Sequence, residues 1–490
     1  MFSGLQARRD VAAVGAALLA QWLLRRIVPA MPFAPYSVAN RIVRITPGGI
    51  ATTGIDQVGH LALPLLAAAV VLATLTLGLA IGRRNPILLG AAAVALSFFA
   101  TRLDPVPQDL RDSIATSLVA GAAAWLVAAL LTPLPTLPQP ATQAFDARRR
   151  QLVTTGLLGI GLVAVFGVSE LRRMARQVVA ASAIRADKSV TVPTDASFTE
   201  VPGLSPQVTP SDRHYEIDIN IADPVVDAES WRLKISGAVS APRSYKLDDL
   251  RAMATTERLQ LLSCISNEVG GDLVSCSRWT GVSLADLVRA ANPSGDAKMV
   301  VAHALDGYTE TIPIDIAMTD LVLVAFGMNG LMIPDAHGPP ARLLFPGRYG
   351  MRSVKWLKEL SVTKTESEGY WEERGWDKVA TMRTSSRIDA LSKTATAGRF
   401  IAAGIAWAGD RRIRAVEIST DDGASWTHAQ LEGELGPLAW QRWQIPLELP
   451  SGTHILSVRA TDGAGTLQDD AERPPHPSGS SGYHRVSVRV

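Results

Sequence analysis

Two cysteines are the only thiols in 490 residues, too few for a disulfide scaffold or a four-thiolate zinc or iron–sulfur site. Cys264 stands in Leu261-Leu262-Ser263-Cys264-Ile265-Ser266-Asn267, behind an apolar stretch and ahead of Gly270-Gly271. Taken alone, such a cysteine is most often a small core residue. Arg342 and Lys355, taken alone, read as surface charges, and His337 as a loop histidine satisfied locally. Cys-x-x-Cys-His is absent and His60 is the only histidine near the apolar runs, so no haem is expected in this chain. The formal charge is +2 from 48 basic and 46 acidic residues, which argues against a nucleic-acid partner.

Order and spacing change this reading. Cys264 with Asn267, followed by Trp279-Thr280-Gly281-Val282-Ser283-Leu284, resembles the molybdenum-cysteine segment of the sulfite oxidase family. Met328-Asn329-Gly330, His337-Gly338-Pro339, Arg342, Pro346-Gly347 and the run from Gly350 to Leu357 are similar to that family's pterin-binding segment. Trp407-Ala408-Gly409-Asp410 and Gly482-Tyr483-His484 resemble its C-terminal domain, so the likeness covers 209–490. The resemblance implies a molybdenum–molybdopterin cofactor with Cys264 as metal ligand and catalytic centre. One cysteine suffices because the pterin dithiolene brings the other sulfurs, and soft sulfur ligands suit this metal. By the same resemblance Arg342, Lys355, Ser353 and the amide of Val354 hold the pterin phosphate, a task for fixed cations and donors. His337, Asp306, Tyr215, Asn267 and Arg352 are its further cofactor-binding candidates. Cys276 matches no ligand position and reads as core packing, a Cys264–Cys276 disulfide being the lesser alternative.

Departures from the pattern bear on substrate. The residues after the cysteine read Asn267-Glu268-Val269, acidic where sulfite oxidases carry an arginine. Tyr215-Glu216-Ile217-Asp218 lacks the family's upstream arginine, and Trp376 replaces the active-site tyrosine, which makes Trp376 a second catalytic candidate. A dianion needs positive partners to offset desolvation, so sulfite is not the expected substrate unless Arg278, Arg348 or Arg352 supplies charge. The expected function is molybdopterin-dependent oxygen-atom transfer on a small molecule, with electrons exchanged with a separate cytochrome or quinone-linked carrier. The alternatives are a sulfoxide or N-oxide reductase of the same family, or a non-catalytic membrane-tethered binding protein.

Three kinds of element must position these residues. Tyr215 to Ile221 and Trp231 to Ile235 alternate with period two, Lys246–Met253 and Leu284–Ala291 read as short helices, and Val300–Ala304 and Leu321–Phe326 as buried strands. This predicts an α+β molybdopterin-binding domain over 207–375. Strand signals at Phe400–Trp407, Ile413–Ser419, Gln441–Ile445 and His454–Ala460, separated by turns, predict an immunoglobulin-like β-sandwich over 385–490, which by resemblance mediates a homodimer.

The first third differs, and a mean hydropathy of +0.15 reflects it. Leu61–Gly82 carries no charge and at 1.5 Å per residue spans ~30 Å of hydrocarbon. With Val11–Val28, Ile87–Leu103, Ile114–Leu131 and Leu152–Val168, residues 1–171 predict a membrane domain of about five helices in contact with lipid, then a linker over 172–206. Arg149-Arg150 before the last run looks like a twin-arginine export signal. The catalytic domain is accordingly expected on the extracytoplasmic side of a multi-pass plasma-membrane protein.

Overall fold

The computed structural model describes residues 2–28, 30–46, 62–81, 86–106, 108–131, 184, 186–192, 195, 197, 198, 200–221, 223–396 and 398–490. The chain forms two compact units, 1–181 with 218–225, and 182–217 with 226–490.

The first unit is helical: Phe2–Ile27, Ala34–Ile45, Ala62–Ile81, Pro86–Arg102 and Leu110–Leu130. Small residues let the helices approach closely. A Cβ on Gly121 would collide with Val94, and Ala17, Ala120 and Ala124 share one buried cluster. Among the described residues only Leu110–Leu130 is long and apolar enough to cross a membrane. This corrects the expected multi-span domain. The first helix carries Arg8, Arg9, Asp10, Arg25 and Arg26, each costly in hydrocarbon, while Ala62–Leu77 and Ile87–Arg102 are apolar but shorter. Leu152–Val168 and Arg149-Arg150 lie outside the described residues, as does all of 132–183.

The second unit opens with β1 (Leu233–Gly237), β2 (Arg243–Tyr245), β3 (Thr256–Ser263), β4 (Val274–Ser283) and β5 (Met299–Ala304). There follow β6 (Thr309–Pro313), β7 (Leu323–Met328), β8 (Leu331–Met332), β9 (Arg342–Leu344) and β10 (Leu357–Thr363). One sheet runs β2-β1-β10-β5-β6, antiparallel except for the β1–β10 pair. Its β5–β6 hairpin turns on Asp306-Gly307, with Gly307 at φ +86°. The other sheet runs β3-β4-β7, with β8 and β9 also paired to β7. β3 and β4 are buried along most of their length, which is why their apolar runs barely alternate. Ser263 pairs with Val274, so 264–273 is the loop closing this hairpin and carries Cys264 at its start.

The C-terminal strands are β11 (Ser385–Lys393), β12 (Arg399–Trp407), β13 (Ile413–Ser419) and β14 (Thr427–His428). The last four are β15 (Gln430–Leu431), β16 (Gln441–Glu448), β17 (Thr453–Asp462) and β18 (His484–Arg489). They form two open four-stranded sheets, β11-β12-β16-β15 and β14-β13-β17-β18. The expectation of an immunoglobulin-like sandwich is corrected accordingly: no strand pairing closes one sheet on the other among the described residues. Alternation and turns mark strands, but edge pairing is a long-range choice that neither encodes.

Candidate cofactor site

Residues from distant stretches converge around a three-residue turn, Asp335–His337. The turn ends at Gly338, φ +91°, where a Cβ would collide with the Lys355 backbone, so glycine lets the two strands of chain cross. Arg342 Nη1 donates to the His337 carbonyl at 3.0 Å and Lys355 Nζ to the Ala336 carbonyl at 2.7 Å. Both cations are thus held on one turn, and Arg342 is 3% exposed, lying 5.0 Å over the Trp279 ring. His337 Nε2 donates to the Ser211 carbonyl at 2.8 Å. Its Nδ1 is therefore an acceptor, buried and without a partner among the described residues.

His214 completes the cluster. It stacks on Tyr215, meets His337 edge-on at 5.1 Å between ring centres, and has Nδ1 3.0 Å from Ser277 Oγ. Burial, then coupling to the His337 ring and the cations Arg342 and Lys355, holds its pKa well below the usual histidine value. Burial likewise lowers His337 to about 4, opposed by its bond to the Ser211 carbonyl and reinforced by Arg342 and Lys355. Two neutral histidines beside two fixed cations make a cluster suited to a phosphate-bearing heterocycle.

Tyr215 leads from this pocket toward the thiol. Its amide donates to Ser275 Oγ at 3.0 Å, and its hydroxyl occupies the space a Cβ on Gly350 would need. Cys264 is half-buried and unbridged, with Sγ 2.9 Å from Ser266 Oγ. Burial raises its thiol pKa, partly offset by hydrogen bonds from Ser266 and Ile265. Cys276 is fully buried on β4 and pushed up to about 12, so the two thiols differ in exposure as well as company. Asn267 braces the loop, its Oδ1 accepting from Leu273 N at 3.0 Å.

The remaining candidates are distributed. Ser353 Oγ accepts from Phe345 N at 3.2 Å, and the carbonyl of fully buried Val354 accepts from Leu343 N, locking 353–355 beside β9. Asp306 is buried in the β5–β6 turn and accepts from Tyr308 N at 2.9 Å. Arg352 is committed elsewhere: it pairs with Glu310 at 2.8 Å and with Glu372, and donates to the Thr311 carbonyl. Arg278 faces Glu257, and Arg348 donates to Thr381 Oγ1. Trp376 is buried with Ile265, Tyr349 and Met351 in one apolar cluster, edge-on to His476 at 5.0 Å.

Two residues escaped sequence reasoning. His214 directly precedes Tyr215 and had only that adjacency as a signal. Tyr349, buried with Ile265 and lining a cavity with Asn267, had none, since a tyrosine after Arg348 reads as packing.

Two family models match the chain: the oxidoreductase molybdopterin binding domain over residues 220–371 and the Mo-co oxidoreductase dimerisation domain over 379–490. The second match falls on the open sheets for which an immunoglobulin-like fold was expected. Mitochondrial sulfite oxidase of Rattus norvegicus is 31% identical over 321 residues, 54% of this chain and 59% of that protein. The chain thus spans less than two thirds of the mammalian sulfite oxidases. The catalytic subunit MsrP of the protein-methionine-sulfoxide reductase of Ralstonia nicotianae is 30% identical over 248 residues, 46% of this chain and 72% of that protein. The crystal structure of the sulfane dehydrogenase SoxCD from Paracoccus pantotrophus shares the fold, with a TM-score of 0.52 at 21% identity over 62% of this chain and 88% of its own. A lone half-buried thiol, a cluster of two cations and two histidines, and these matches lead to one conclusion: the chain belongs to the sulfite oxidase family of molybdopterin-dependent oxidoreductases.

Proposed function

We propose that this protein performs oxygen-atom transfer on a small molecule, with Cys264 as the protein ligand of a molybdenum–molybdopterin cofactor. The observation that carries the reading is the partnerless buried Nδ1 of His337 beside Arg342 and Lys355. A pterin ring offers N–H donors for that acceptor, and its phosphate suits the two cations, so the residues fit the group. When bound, the cofactor supplies two-electron oxygen-atom chemistry at the metal. The chain's own part is to bind and orient it. Arg342, Lys355, His337, His214, Ser353, Val354 and Asp306 would hold the pterin and its phosphate, and Cys264 would hold the metal.

A second reading, reduction of a neutral sulfoxide or N-oxide, is favoured by the fate of the arginines. Arg352 is neutralised by Glu310 and Glu372, Arg278 faces Glu257, and Glu268 is exposed on the cysteine loop. Such surroundings suit a neutral substrate better than sulfite. Purified protein analysed for molybdenum and assayed with an artificial electron carrier tests both. Sulfite oxidation alone supports the first reading, sulfoxide or N-oxide reduction the second, and protein free of molybdenum the binding-protein alternative. Electron exchange with a separate carrier, homodimer formation through 379–490, membrane attachment through Leu110–Leu130 and an extracytoplasmic catalytic domain complete the proposal.

A further inference from the structure

The loop bearing Cys264 is tied to itself by few bonds. Cys264 N donates to the Leu273 carbonyl at 2.9 Å, Asn267 N to the Cys264 carbonyl at 3.1 Å, and Gly271 N to the Glu268 carbonyl at 2.9 Å. Its outward groups are taken up by residues beyond 379. Ser480 Oγ donates to the Asn267 carbonyl at 2.6 Å, and Arg387 Nη1 donates to the Gly271 carbonyl at 2.7 Å. Gly270, at φ +76°, lies against His484, whose ring fills the space a Cβ there would need. Each of these side chains is itself held. Arg387 pairs with Asp389 at 2.6 Å and donates to Ser205 Oγ at 2.9 Å, while His484 Nδ1 accepts from Ile388 N at 3.0 Å. A polar cavity lined by Asn267, Gly270, Tyr349, Gln468 and Ser480 lies along the contact.

From this arrangement we infer that Ser480, Arg387 and His484 are positioning residues for the Cys264 sulfur, so that the segment matched as a dimerisation domain also shapes the metal centre of its own chain. The inference rests on Cys264 being the metal ligand. The physical reason is leverage. Asn267 is bonded to the Cys264 carbonyl on one side and to Ser480 on the other, so a shift of the far contact reaches the thiol through a single residue. Metal ligands act correctly only within narrow limits of distance and angle, which a hairpin loop secured at one end does not supply.

The test uses Ser480→Ala, which removes one hydrogen bond, and His484→Ala, which frees Gly270. In the molybdenum-loaded protein both variants are expected to keep wild-type metal content and show an altered Mo(V) electron paramagnetic resonance spectrum, with Ser480→Thr restoring it. In cofactor-free protein, alkylation of Cys264 by iodoacetamide is expected to run about fivefold faster in Ser480→Ala, the effect of one lost hydrogen bond on local opening. Cys276 is fully buried and does not compete. Wild-type spectra and wild-type alkylation rates, with only a lowered melting temperature, reduce the contacts to domain packing and overturn the inference. Cys264→Ser run in parallel separates the two levels: a wild-type spectrum in that variant refutes the ligand assignment itself, whatever Ser480 does.

Discussion

His337 donates its Nε2–H to the carbonyl of Ser211 at 2.8 Å, and this one bond fixes which face of the imidazole remains for a ligand. A backbone carbonyl only accepts, so the proton sits on Nε2 and Nδ1 is left as a buried acceptor. The turn that carries His337 also receives Arg342 and Lys355, so tautomer and charge are set at one place.

The burial of His337 has a consequence for pH. An unfolded histidine titrates near ~6.5, whereas His337 in the fold stays neutral down to about 4, and His214 is lowered as well. Between those values the unfolded chain binds protons that the folded chain does not. Stability is therefore full above the unfolded pKa and is lost as pH falls from there toward the folded pKa, by up to ~1.4 kcal/mol per unit for each group. Urea unfolding of cofactor-free protein at a series of acidic pH values checks this, with a shallower slope expected for His337→Gln.

Cys264→Ser is expected to abolish turnover while leaving the fold intact, since a hard oxygen replaces the soft ligand at a half-buried position. Cys276→Ser, at a fully buried site, is expected to leave turnover per bound molybdenum unchanged and to lower stability by ~1 kcal/mol or more. Activity and thermal unfolding of the pair measure both. Wild-type turnover in Cys264→Ser contradicts the assignment.

Arg342→Ala and Lys355→Ala are expected to lower molybdenum content several-fold without changing activity per bound metal. Both side chains anchor on backbone carbonyls of the turn that carries the proposed phosphate site. Elemental analysis alongside specific activity checks this, and full metal content in both variants places the phosphate elsewhere.

Arg352 lies between Glu310 and Glu372, all three nearly inaccessible to solvent. Burial raises the Glu310 pKa against the pull of Arg352, so the guanidinium is what keeps the pair of carboxylates tolerable. Removing it by Arg352→Met is expected to cost ~3–5 kcal/mol. Adding Glu310→Gln in the same chain should recover part of that loss. Denaturant unfolding of both single variants and the double variant reads the coupling; losses that simply add would show that Glu310 and Arg352 are independent.

Replacing Arg149 and Arg150 together by Lys keeps the positive charge and would remove the proposed twin-arginine signal. The catalytic domain is then expected to remain inside the cell, shielded from added protease. Normal export and digestion would leave ordinary charge-based anchoring as the explanation.

Much of this protein was legible in its residues alone. Cys264 with Asn267, the His337–Arg342 spacing and the Gly350–Leu357 run carry the family likeness because each motif is local, with its members on one loop or one turn. Strand periods were likewise readable where one face is covered, as in β1. Tertiary structure decided what needed distant partners. His214 joins the cationic pocket only because Ser211 meets the turn at His337, and Arg352, a free cation by sequence, is taken by Glu310 and Glu372. The open pairing of the C-terminal sheets was equally hidden, because register between strands far apart in sequence leaves no local trace. Hydropathy overstated the membrane domain for a related reason: apolar length is a local property, whereas a buried helix and a lipid-facing one differ in what surrounds them. Side-chain type and spacing are written along the chain, while charge compensation and edge pairing arise only when remote segments share a place.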